Sequence, residues 1–119
     1  MFNMIRVTIV LLALSKTGIA HGAGLRGDGN ELLKRCQTST QSLSYENLLD
    51  FYWCLGFLEG VNGMLPSTTP PLYCLPEAGS YTQVMQVLVK YLQDHPERLN
   101  ESQTVLTVDA LGAAFPCEP

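Results

Sequence analysis

The chain has 119 residues, enough for one domain. Eleven acidic and seven basic residues leave a net charge of −4, which argues against nucleic acid or an anionic membrane surface as a partner.

The first residues read MFNMIRVTIVLLALSKTGIAHGAG. Arg6 precedes a short apolar run, Val7 to Leu14, and small residues follow at Gly18 and Ala20. That order is the signature of a secretory signal peptide, with cleavage expected after Ala20 or after Gly22. The run is well short of the roughly 20 apolar residues that a spanning helix needs, and Lys16 closes it. Losing residues 1–20 removes Arg6 and Lys16 and no acid. The remaining domain, 21–119, then has five basic and eleven acidic residues, a charge of about −6.

Four helical segments are expected after the leader. The first spans about Asn30 to Ser39, capped by Asp28 or Asn30, with Leu32, Leu33 and Cys36 on one face. The second spans about Tyr45 to Gly63, with Ser44 as N-cap. LPSTTPPLYCLPEAG follows, and its prolines cannot continue a helix. The third opens at SYTQ, where Ser80 and Gln83 make a capping-box pair. Its apolar stripe is Tyr81, Val84, Met85, Leu88, Tyr91 and Leu92. Pro96 pushes His95 out of helical geometry and ends this helix. The fourth is expected from about Asn100, with Gln103 three residues on, a stripe of Val105, Val108, Leu111 and Phe115, and Pro116 as its stop. The result is an all-α fold, a small four-helix domain of two hairpins joined by a proline-rich bridge.

Cys36, Cys54, Cys74 and Cys117 are even in number and lie in a chain bound for an oxidising compartment, which implies two disulfides. Their spacings of 18, 20 and 43 residues are not those of a zinc site, and no metal or cofactor is expected. On the hairpin plan Cys36 and Cys54 come level across the first turn, while Cys74 and Cys117 meet at the base of the second hairpin. The pairs Cys36–Cys54 and Cys74–Cys117 are therefore expected, although spacing alone leaves the two cross-hairpin pairings open.

The second helix holds FYWCLGFLEGVNG, with Gly56 and Gly60 four apart and Tyr52 extending the same ridge. Glycine in a helix costs about 1 kcal/mol relative to alanine. A bare ridge permits close approach of another helix, so Tyr52, Gly56 and Gly60 are candidates for close packing within the fold or for a homodimer interface. Between Leu48 and Leu65 the only charges, Asp50 and Glu59, project from nearly opposite sides, which suggests a helix surrounded by protein. The same divergence prevents them from working as a catalytic carboxylate pair. His95, beside Asp94 at a helix end, suits a capping role. With the cysteines committed to disulfides and no phosphate loop, H-E-x-x-H or G-x-S-x-G present, no catalytic residue is expected. A binding protein is the expectation.

GNELLKRC, WCLGFLEGVNG, YCLPEAGSYTQ, VKYLQDHPERLN and ALGAAFPC together run from Gly29 to Cys117. In this order they resemble the Tai/Rap group of immunity proteins. The resemblance implies an all-helical periplasmic protein, commonly a homodimer, that binds a peptidoglycan amidase effector of type VI secretion and blocks its active-site cleft. It carries over the four cysteines, Gly56 and Gly60, and Pro76, Pro96 and Pro116 as scaffold positions, and no contact residue. The contact surface expected on physical grounds is the turn DHPERLN, with Asp94, His95, Glu97, Arg98 and Asn100, a charged tip fixed by Pro96. A reading from another class is a small acid-stress chaperone of the periplasm, which loses its oligomeric state in acid and exposes apolar surface. An orphan periplasmic protein of the same fold is a third.

Overall fold

The computed structural model describes residues 27–38, 44–64 and 67–118. The leader expected over residues 1–20 and its expected cleavage site lie outside the described residues.

Asp28 starts the first helix, α1 (Gly29–Thr38). Its Oδ1 accepts the Glu31 N–H at 3.1 Å, satisfying a donor without a helical partner, and its carbonyl accepts the first intrahelical bond, from Leu32. Ser44 acts likewise for α2 (Tyr45–Met64), its Oγ accepting the Asn47 N–H at 3.3 Å. α3 (Tyr81–Asp94) begins with a full capping box, Ser80 and Gln83 bonding reciprocally. All three starts match the sequence expectation.

α4 (Gln103–Ala114) does not. It begins three residues after Asn100, with Ser102 as an N-cap that makes no side-chain bond. The cause is competition for the preceding backbone. Glu101 accepts the Gly29 N–H, Gly27 accepts the Gln103 N–H, and Asp28 and Ser102 form an isolated antiparallel bridge. These bonds hold residues 99–102 extended or turned against the start of α1. The apolar stripe shifts as well: Leu106, Thr107, Ala110 and Leu111 are buried, whereas Val105 is exposed. Thr107 can be buried because its hydroxyl donates to the Gln103 carbonyl at 2.8 Å.

α1 packs on α2 and α3 on α4, giving two hairpins, and α1 lies against α3 to join them. The core at this junction includes Leu32, Leu58, Leu88, Leu92, Leu106 and Leu111, all essentially inaccessible. Each such side chain contributes about 1.5–3 kcal/mol relative to exposure. Tyr73 enters the core from the proline-rich bridge. Cys36–Cys54 closes the first hairpin with Cα atoms 5.3 Å apart, and Cys74–Cys117 closes the second at 5.0 Å. A backbone bond from Cys74 N–H to the Phe115 carbonyl, 2.9 Å, seals the same base. No helix among the described residues is long and apolar enough to cross a membrane.

Candidate partner-binding surface

The turn between α3 and α4 is built before it is exposed. His95 caps α3, its backbone N–H bonding to Leu92, and Pro96 opens a single 3-10 turn, Pro96–Arg98. The fixed φ of proline suits that first position. The His95 ring stacks on Tyr91 with centroids 4.1 Å apart. Its Nδ1 lies 2.7 Å from the Tyr91 carbonyl, and since a carbonyl only accepts, Nδ1 carries the proton.

Arg98 turns inward. It grips Glu101 with two bonds, Nε to Oε1 at 2.8 Å and Nη2 to Oε2 at 2.7 Å, and it reaches Asp109 on α4 at 2.6 Å. Nη1 donates to the Tyr91 hydroxyl on α3. Paired, planar contacts of this kind are the strong form of a charged hydrogen bond. The Glu101 contact, then the Asp109 contact, push the guanidinium further above its ordinary range, and Arg98 holds the Glu101 carboxyl below the usual carboxylate value. From α1, Asn30 Nδ2 donates to the Leu99 carbonyl at 3.0 Å and to Asn100 Oδ1 at 3.4 Å.

Three of the five expected contact residues, Asp94, Glu97 and Asn100, therefore face solvent on this tip. His95 and Arg98 are half-buried and shape it from within. Asp94 also pairs with Lys90 one turn earlier on α3 at 2.8 Å.

The glycine ridge sits elsewhere, and its expected role inside the fold is corrected. A Cβ added at Gly56, Gly60 or Gly63 meets nothing within 4 Å among the described residues. Gly56, Gly60 and Tyr52 are exposed, so no helix among the described residues nestles there. Nor is α2 enclosed on all sides, since only Cys54, Leu58 and Val61 are buried. The disulfide explains the orientation. Cys54 must face α1 to reach Cys36, and Gly56, two residues on, is rotated about 200° away. Close approach by glycine occurs instead at Gly29. A Cβ there would collide with the Leu106 side chain and stand 3.0 Å from the Leu99 backbone.

Asp50 and Glu59 stay apart as expected: Asp50 pairs with Arg35 at 3.4 Å, and Glu59 is exposed. A cleft of about 640 Å³ between α3 and the bridge, lined by Leu75, Pro76, Tyr81, Val84, Val87 and Phe115, was not anticipated. Its signal was the apolar Phe115 placed directly before a terminal Pro-Cys. Among the described residues no group of three or more His, Cys, Asp or Glu could hold a metal ion.

The comparison with known families agrees with this architecture. The family of Rap1a immunity proteins matches residues 28–117, from the cap of α1 to the last cysteine. The chain belongs to the Rap1a immunity protein family. No curated protein matches it.

Proposed function

We propose that this chain is a periplasmic immunity protein that binds a peptidoglycan amidase effector of type VI secretion and covers its active-site cleft, with two copies acting together as a homodimer. The family match across residues 28–117 carries this reading. The tip supports it physically, because a blocking surface must keep its shape while it excludes substrate. Arg98 and Asn30 brace the tip from three helices, so little ordering cost remains at binding. Asp94, Glu97 and Asn100 are the residues it offers to a partner. Occlusion requires no bond making by this chain and no metal or cofactor.

Such a complex should bury at least about 1,200 Å² in total. The test is inhibition of a type VI peptidoglycan amidase by the purified chain. Stoichiometric loss of stem-peptide cleavage, with co-elution of the two proteins, is expected. Changing Asp94, Glu97 and Asn100 together to alanine should weaken inhibition roughly tenfold or more. If no cell-wall hydrolase of the periplasm is retained by the purified chain, the reading is wrong.

A further inference from the structure

We infer that the Cys74–Cys117 bridge is a site of thiol–disulfide exchange with an external dithiol, and that opening it unlatches one wall of the cleft beside α3 while the rest of the fold stands. This goes beyond the proposed function and does not depend on the amidase.

The two bridges differ in access. Cys36 and Cys54 are 1% and 0% exposed and belong to the hydrophobic core. Cys74 is exposed and Cys117 half-buried. Exchange needs a thiolate to reach a sulfur of the bond it breaks, so access decides which bridge reacts. The inner bridge is reached only when α1 and α2 separate. The outer one meets the attacking group in the folded chain.

The reaction closes without any further reagent. A thiolate of the dithiol bonds to Cys74 Sγ, on the more exposed residue of the pair. The S–S bond breaks, its electron pair leaves on Cys117 Sγ, and that sulfur takes a proton from solvent. The second thiol of the reagent, as thiolate, attacks the reagent's own sulfur in the mixed disulfide and releases Cys74, which is protonated in turn. The dithiol ends as a disulfide and gives up two electrons; the bridge ends as two thiols. The new Cys117 thiol has an acceptor at hand, since the Pro71 carbonyl lies 3.9 Å from its Sγ.

What the bridge latches is visible on either side of it. It holds the end of the proline-rich segment against the end of α4, with Cα atoms 5.0 Å apart. Leu75 and Pro76 follow Cys74, Phe115 precedes Cys117, and all three line the cleft of about 640 Å³. Once the bridge is open, the Cys74 N–H bond to the Phe115 carbonyl and apolar packing are left to hold that wall. Segments held in this way open locally at low free energy. The supports of the tip and of the first hairpin do not pass through either sulfur. Arg98 pairs with Glu101 and Asp109, Asn30 holds the Leu99 carbonyl, and Cys36–Cys54 stays closed.

The oxidised full chain tests this without substitutions. It is treated with dithiothreitol in the absence of denaturant, quenched with a maleimide and mapped by mass spectrometry. Cys74 and Cys117 should be labelled roughly tenfold or more faster than Cys36 and Cys54, with the far-ultraviolet circular dichroism retained. Hydrogen exchange of the two-thiol product should accelerate roughly tenfold or more in peptides covering residues 72–76 and 113–117, and far less in those covering α1 and the tip. Simultaneous labelling of all four cysteines, labelling of Cys36 and Cys54 first, or no labelling until denaturant is added would each overturn the exchange site. Acceleration as large at the tip as at the base would overturn the latch.

Discussion

At the tip of the second hairpin a guanidinium holds two carboxylates and a tyrosine hydroxyl, and an asparagine from α1 ties down the turn. Along the outer side of α2, by contrast, tyrosines, leucines and glycines are exposed, with no described residue packed over the glycines. The first region satisfies its polar groups internally and presents a finished shape. The second leaves apolar area uncovered and glycines without a neighbour to justify them. Polar closure therefore marks a surface that is complete within one chain, and bare apolar relief marks one that the described residues leave uncovered.

This contrast can be broken by mutation, beginning with the disulfides. Replacing Cys74 and Cys117 by alanine should cost about 4 kcal/mol of unfolding free energy and replacing Cys36 and Cys54 about 3, because the closed loops are 43 and 18 residues long. Urea titration of the two double variants reads the order directly. If the Cys36–Cys54 variant is the less stable, loop length is not the controlling quantity.

Glycines should respond with opposite signs in the two regions. Gly29→Ala forces the Leu106 side chain and the Leu99 backbone apart and should lose about 1–3 kcal/mol. Gly60→Ala, with nothing within 4 Å, should raise the stability of the isolated chain by about 0.5–1 kcal/mol. Thermal melts over a range of protein concentrations separate the second effect from any change in association. Equal losses at both sites would dissolve the distinction.

A smaller effect is expected at Tyr73. Its hydroxyl is buried without a hydrogen-bond partner, and burial raises its pKa. Tyr73→Phe should therefore be neutral or stabilising by up to about 1 kcal/mol, measured by the same titration.

The smallest effect concerns acid. Arg98 holds Glu101 below the ordinary carboxylate range, so the folded state binds that proton less readily than the unfolded chain. The stabilisation is present above the unfolded value of about 4.3 and is lost as pH falls through the lower folded value. Between pH 6 and pH 3 the wild type should thus lose slightly more melting temperature than Glu101→Gln. Identical slopes would show that Glu101 does not titrate against Arg98 in the tip.

Much of the fold was legible because capping is local chemistry. Ser44, the Ser80 and Gln83 pair, and Pro96 sit within a few residues of the boundaries they set. The disulfide pairing was legible because a hairpin plan brings only certain cysteines level. The start of α4 was not, because a partner far along the chain, the Gly27 to Asn30 segment, claims the backbone before it. Its stripe was misplaced because Thr107 reads as polar until its bond to Gln103 is known. On α2 the bare ridge was visible but its direction was not, since a helix that is apolar all round has no hydropathic inside. The orientation was nonetheless implicit in Cys54, whose bond to Cys36 must turn Gly56 outward. The exposed trio of the tip was recognised, whereas the inward role of Arg98 depended on Asp109, eleven residues away.

The two sulfur bridges link cysteines that are consecutive in the chain, and neither loop encloses the other. A thiol oxidase that joins cysteines in the order they emerge from a translocation pore would make Cys36–Cys54 first and Cys74–Cys117 second, reaching the native connectivity without reshuffling. On the proposed export to the periplasm, maturation of this chain would call for an oxidant and no isomerase.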